Sequence, residues 1–170
     1  MELLIVTGMS GAGKSQAANV LEDIGFYCVD NIPPAIIPSF VELSARSGDL
    51  LSKMAIVTDM RGGVLFSEIE QVLNSLKNNN VDYKILFLDA SDDVLIRRYK
   101  ENRRKHPLSD AENMSVQSAV KKEREMLKKI RFMSDYIVDT SHISISQLKV
   151  QLSSIFCGSV SNVLKIQCKS

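Results

Sequence analysis

Leu3-Leu4-Ile5-Val6-Thr7-Gly8-Met9-Ser10-Gly11-Ala12-Gly13-Lys14-Ser15 is the stretch on which the fold turns. Its first five residues are apolar or β-branched with no alternation, the pattern of a strand buried on both faces in a parallel sheet. The next eight read G-x-x-x-x-G-K-S, and a helical pattern runs from Lys14 to Ile24. A strand that passes through a glycine-rich turn into a helix brings the helix N-terminus to the turn, with its unpaired N–H groups and roughly half a positive charge. Gly8, Gly11 and Gly13 have no side chain to keep an anion off those amides. The stretch is suited to phosphate groups.

Residues Gly8 to Ser15 match the Walker A sequence of P-loop nucleotide-binding proteins, in the strand–turn–helix setting that the motif requires. The reading gives Gly8, Met9, Ser10, Gly11, Ala12, Gly13, Lys14 and Ser15 to the phosphates of ATP or GTP. Lys14 would reach the β- and γ-phosphates, and the Ser15 hydroxyl would ligate Mg2+, which neutralises charge as a γ-phosphoryl group departs.

Outward from the motif, strand-length apolar runs at Leu3–Thr7, Phe26–Val29, Met54–Thr58, Lys84–Leu88 and Tyr136–Val138 alternate with longer amphipathic stretches. Helices are expected at Lys14–Ile24, Ala35–Ser44, Val64–Asn78, Val94–Arg103, Val116–Phe132 and Ser146–Phe156. The fold class is α/β: a P-loop NTPase with a kinase-like five-stranded parallel sheet and helices on both faces. Ligands of such sheets bind beyond the carboxyl ends of the strands, where Asp30, Asp59 and Asp89 join Gly8. By analogy with kinase-like sheets, whose third strand lies beside the P-loop strand, Asp59 is the choice for the Mg2+ shell, with Asp30 one strand further toward an acceptor.

Arg97, Arg98, Lys100, Arg103, Arg104 and Lys105 stand against the single Glu101, ahead of a turn expected at His106-Pro107-Leu108. Such a segment could close over a triphosphate, and Arg103 and Arg104 are the preferred arginines for stabilising a transferring phosphoryl group. A second run, Lys121, Lys122, Arg124, Lys128, Lys129 and Arg131, is diluted by Glu123 and Glu125 at intrahelical pairing distance and reads as a solvated face. His106 and His142 lack partners at metal-ligand spacing and receive no catalytic role. Cys28, Cys157 and Cys168 contain no CxxC pair and read as reduced, structural thiols. A net charge of +1 supplies no global field toward nucleic acid or a membrane. With no apolar run of membrane-spanning length and no leader pattern, a cytoplasmic location is expected.

Four segments together resemble the RapZ/YvcJ family of bacterial nucleotide-binding proteins. They are the Gly8 to Ser15 loop, Phe26-Tyr27-Cys28-Val29-Asp30-Asn31-Ile32-Pro33, Asp59-Met60-Arg61-Gly62, and Arg103-Arg104-Lys105-His106-Pro107-Leu108. The resemblance runs through about residue 156. It implies binding and slow hydrolysis of ATP and GTP, with a GTP-associated segment at Asp59, Met60, Arg61 and Gly62. A single triphosphate could touch both segments in one site. The family also implies a longer chain. Residues 1–157 are expected to be the nucleotide-binding domain, and 158–170 a linker and the start of a missing C-terminal domain. RNA binding, tied to that domain, is not expected of this fragment, and homo-oligomerisation of a full-length protein stays open. The rival reading is a small-molecule kinase that moves the ATP γ-phosphate to a metabolite hydroxyl.

Overall fold

The computed structural model describes residues 1–59 and 63–157. Five strands, β1 (Glu2–Gly8), β2 (Tyr27–Asp30), β3 (Lys53–Val57), β4 (Tyr83–Asp89) and β5 (Tyr136–Asp139), form one parallel sheet in the order β2-β3-β1-β4-β5. Each strand lies within one residue, at either end, of its sequence expectation. Among the described residues seven α-helices accompany them: α1 (Lys14–Asp23), α2 (Ile37–Arg46), α3 (Gly63–Asn78), α4 (Asp92–Glu101), α5 (Pro107–Glu112), α6 (Val116–Met133) and α7 (Ile145–Phe156). The central strand β1 is buried from Leu3 to Gly8, which is why its sequence reads as an unbroken apolar run. After β1 the chain goes to β2 and β3 on one side, then crosses to β4 and β5 on the other. The carboxyl end of β1 is therefore the crevice at which such sheets bind ligands.

Three expectations are corrected. The helix expected at Ala35–Ser44 is a 3-10 turn, Pro34–Ile36, followed by α2, because Pro38 has no N–H to continue a helix through that point and fits only near the start of a new one. The basic helix starts two residues early, where Asp92 and Asp93 sit in its first turn and favour the helix dipole. It ends at Glu101, short of Arg103, whose φ of 49° is left-handed and ends the helix. The turn expected at His106-Pro107-Leu108 is the start of α5, with Pro107 in the first helical turn and the His106 ring accepting the Leu108 N–H at 3.1 Å.

The second basic run is not uniformly solvated. Arg124 and Arg131 reach Asp89 at the end of β4, each at 2.9 Å, and Arg124 also bonds Asp92 at 2.7 Å and the Ala90 carbonyl at 2.6 Å. Burial opposes the Arg124 charge, but the hydrogen bonds it donates to Asp89 and Asp92, with their negative charges, more than offset it and hold its pKa above the ordinary value. Glu125 does pair within the helix, with Lys128.

Cys28 in β2 is a free thiol. Burial, then the negative charges of Glu22 and Asp30, push the Cys28 pKa up to about 11. Its thiol donates to the Ala18 carbonyl at 3.4 Å. At pH 8 iodoacetamide should therefore modify Cys28 roughly two orders of magnitude more slowly than an unperturbed thiol. Mass spectrometry of the alkylated peptide checks this, and modification at an ordinary thiol's rate would contradict the assigned environment. No helix among the described residues is long and apolar enough to cross a membrane.

Candidate functional site

The loop after β1 is fixed by where its carbonyl groups go. Lys14 Nζ donates to the Gly8 and Met9 carbonyls at 3.0 and 3.1 Å. The Gly11 carbonyl accepts from Arg98 at 3.0 Å, and the Ala12 carbonyl accepts from Thr140 Oγ1 at 2.6 Å. Met9 N–H donates to the Leu88 carbonyl of β4 at 3.0 Å. With the oxygens turned into the protein, the N–H groups of Gly11, Gly13, Lys14, Ser15 and Gln16 meet no acceptor among the described residues. Gly11 and Gly13 hold left-handed φ values of 83° and 100°, the alternation that turns successive amides toward one concavity. Helix α1 adds to it: Gly13 caps it without a side-chain bond, and its first turn has no acidic residue. Among the described residues no acceptor is bonded to that positive end.

A cleft of about 1090 Å³ opens over this concavity. On the loop side it is lined by Ser10, Gly11, Gly13, Lys14, Ser15 and Gln16. Asp30, Asn31 and Asp59 line it at the ends of β2 and β3, and Arg98, Tyr99 and Arg104 line it from α4 and the segment after it. Lys14 Nζ lies 3.0 Å from Asp59 Oδ1. Because β3 is hydrogen-bonded to β1, Asp59 falls beside the loop, and Asp30 falls one strand beyond. Arg104 is in the cleft wall whereas Arg103 does not line it, so the structure separates two arginines that the sequence treats alike. Arg98 also donates to the Thr140 carbonyl at 2.6 Å, and burial, then neighbouring Arg97, lowers its pKa from the ordinary guanidinium range. Met60, Arg61 and Gly62 lie outside the described residues.

Two residues of the site escape the sequence reading. Glu123 does not pair along its helix. It is buried, and its carboxylate accepts the Ser10 N–H at 3.1 and 3.2 Å and the Ser10 hydroxyl at 2.5 Å. On its other side stands His106 Nε2 at 3.0 Å, on a ring with no solvent exposure. The His106 Nδ1 accepts the Leu108 N–H, so the ring proton is on Nε2 and is donated to Glu123. Hydrogen bonds to a buried charged group each contribute about 1.5–3 kcal/mol, and here they join the loop to α5 through α6. A signal for Glu123 does exist. Ala119, Val120, Leu127 and Ile130 form the buried stripe of α6, and Glu123 occupies a place on that stripe.

The model of the RapZ-like N-terminal domain matches residues 1–160 of this chain. Curated proteins called nucleotide-binding protein are similar to it. Those of Caldicellulosiruptor saccharolyticus and Acetivibrio thermocellus are each 51% identical over 156 residues, which is 92% of this chain and 53% of the relative. The chain thus spans about half the length of these relatives. Among solved structures, shikimate kinase from Acinetobacter baumannii in complex with shikimate is similar with a TM-score of 0.59 at 17% identity, covering 94% of this chain and 95% of that one. The Deinococcus radiodurans tunicamycin resistance protein gives 0.63 at 15% identity, with 91% and 94% covered. At such identities the likeness concerns the fold, that of a P-loop kinase. By the extent of the domain match and the two 51% identities, this chain belongs to the RapZ-like N-terminal domain family.

Proposed function

We propose that this chain binds Mg-ATP and Mg-GTP in the cleft over Gly8 to Ser15 and hydrolyses them slowly, as the regulatory half of a longer protein. The observation that carries the reading is the loop's division of labour: carbonyls bound by Lys14, Arg98 and Thr140, and a row of amides left to an anion. The name of the 51% identical relatives, nucleotide-binding protein, supports the same ligand class. Lys14 is already in the cleft and would exchange its contacts to the Gly8 and Met9 carbonyls for phosphate oxygens.

The donor set also fits a magnesium ion. A Ser15 hydroxyl and an Asp59 carboxylate are hard oxygen ligands lining one cleft, the kind Mg2+ takes together with phosphates and water. When bound, the ion neutralises charge on the departing phosphoryl group. Among the described residues Lys14 and Arg104 are cleft cations suited to that charge, and Arg98 holds the loop in place. Arg103 takes no part in this reading of the cleft, because its left-handed backbone serves to end α4.

A kinase remains the second reading, favoured by the extension of the cleft past β3 to Asp30 and Asn31. One assay separates the two. Phosphate release is measured with Mg-ATP and Mg-GTP, with and without a panel of hydroxylated metabolites, and with Lys14→Ala as blank. The regulatory reading expects slow release from both nucleotides, indifferent to the panel. Acceleration by one metabolite, with a phosphorylated product, would replace it by the kinase.

A further inference from the structure

The segment from Asn102 to His106 brings Arg104 and Lys105 into the cleft wall, and it is held at both ends. At one end Asn102 N–H closes α4 on the Arg98 carbonyl at 3.0 Å. At the other, His106 is buried and bonded to Glu123, whose second partner is Ser10 of the phosphate loop. The link is directional. Its donors are Ser10 N–H, Ser10 Oγ–H and His106 Nε2–H, all pointing at one carboxylate, and the remaining ring nitrogen accepts Leu108 N–H. The Ser10 amide is consequently spoken for by the protein. The ligand is left with the amides of Gly11, Gly13, Lys14, Ser15 and Gln16, and a fixed anion lies behind the Ser10 end of the loop. A phosphate placed toward that end meets the anion's repulsion unless a cation faces it from the cleft, and Arg104 lines the cleft two residues before His106.

We propose that Glu123 and His106 are positioning residues for triphosphate recognition: by tying Ser10 to the start of α5 they set Arg104 against the terminal phosphate, so the link governs the preference for tri- over diphosphate. Their role is indirect: Glu123 does not line the cleft, and the His106 ring has no solvent exposure. The proposal rests on the nucleotide-binding reading above and adds to it a structural cause for discrimination at the γ-phosphate.

His106→Asn isolates the link. An asparagine at the N-cap can still accept the Leu108 N–H, which preserves the start of α5, but its side chain is too short to replace the contact to Glu123. Glu123→Gln is the complementary change. It can still accept from Ser10, but its amide turns a donor toward the donor on His106. Affinities for Mg-AMPPNP and Mg-ADP are measured by calorimetry on wild type, Arg104→Ala, His106→Asn, Glu123→Gln and the double variant Arg104→Ala/His106→Asn, with thermal unfolding run alongside.

The expected result is a loss of about tenfold in the AMPPNP-to-ADP preference for each single variant, the equivalent of one charge-assisted contact. Affinity for Mg-ADP should change little, and the double variant should lose no more than Arg104→Ala alone. Equal weakening of both nucleotides would overturn the proposal, since that is what a packing role produces. Additive losses in the double variant would overturn it too, because the link and Arg104 would then act separately. If wild type binds neither nucleotide, the nucleotide reading itself falls, an outcome that this comparison shows directly.

Discussion

Gly8→Ala should leave the chain without a native phosphate loop. A Cβ at this position would stand 2.1 Å from the Leu88 carbonyl oxygen and 2.7 Å from the Leu88 backbone nitrogen, both on a strand hydrogen-bonded to β1. Neither strand can retreat, for β1 lies between β3 and β4 and β4 between β1 and β5. The φ of 145° adds a conformation that only glycine takes without strain. Overpacking in a close-packed core with additional backbone strain belongs with the large destabilisations, about 4 kcal/mol or more. Urea unfolding followed by circular dichroism measures it, and a loss under about 1 kcal/mol would mean the two strands are not in the register described. Gly13→Ala is an informative partner, since a Cβ there meets nothing within 4 Å and the change tests the left-handed backbone alone.

The second large effect is expected at Lys14→Ala. The Lys14 side chain is only 10% exposed, joins Asp59 to the Gly8 and Met9 carbonyls, and lines the cleft together with the open amides. Its removal takes away a charge-assisted contact to phosphate. Mg-ATP and Mg-GTP should each bind about a hundredfold more weakly, while the fold persists because the side chain is not part of the sheet core. Unchanged affinity for both nucleotides in a folded Lys14→Ala protein would end the proposed function.

Much of this was legible from local pattern. The five strands are continuous apolar runs bounded by polar residues, so their ends could be placed closely, and the phosphate loop is a motif whose glycines have local backbone reasons. What escaped depends on distant partners. Glu123 is 113 residues from Ser10, and nothing in a run of lysines and arginines says that one glutamate faces inward except its place on the apolar stripe of α6. Asp89 was read as a strand-end carboxylate near the ligand edge, yet it holds Arg124 and Arg131 and serves the packing of α6. The missed α5 is short, and its N-cap is a histidine, a residue that the usual Ser, Thr, Asp and Asn signals do not include.

Thr140 gives the site an unexpected dependence on the far end of the chain. Its hydroxyl donates to the Ala12 carbonyl, its backbone N–H donates to the Asp89 carbonyl, and its own carbonyl accepts from Arg98. The phosphate-binding motif is complete in sequence at Ser15, but the hydroxyl that holds the Ala12 carbonyl comes only after the fifth strand, at Thr140. A nascent chain that stops at the end of α6 has the whole motif and no finished concavity. The finished shape of the loop therefore depends on a residue 128 positions beyond Ala12.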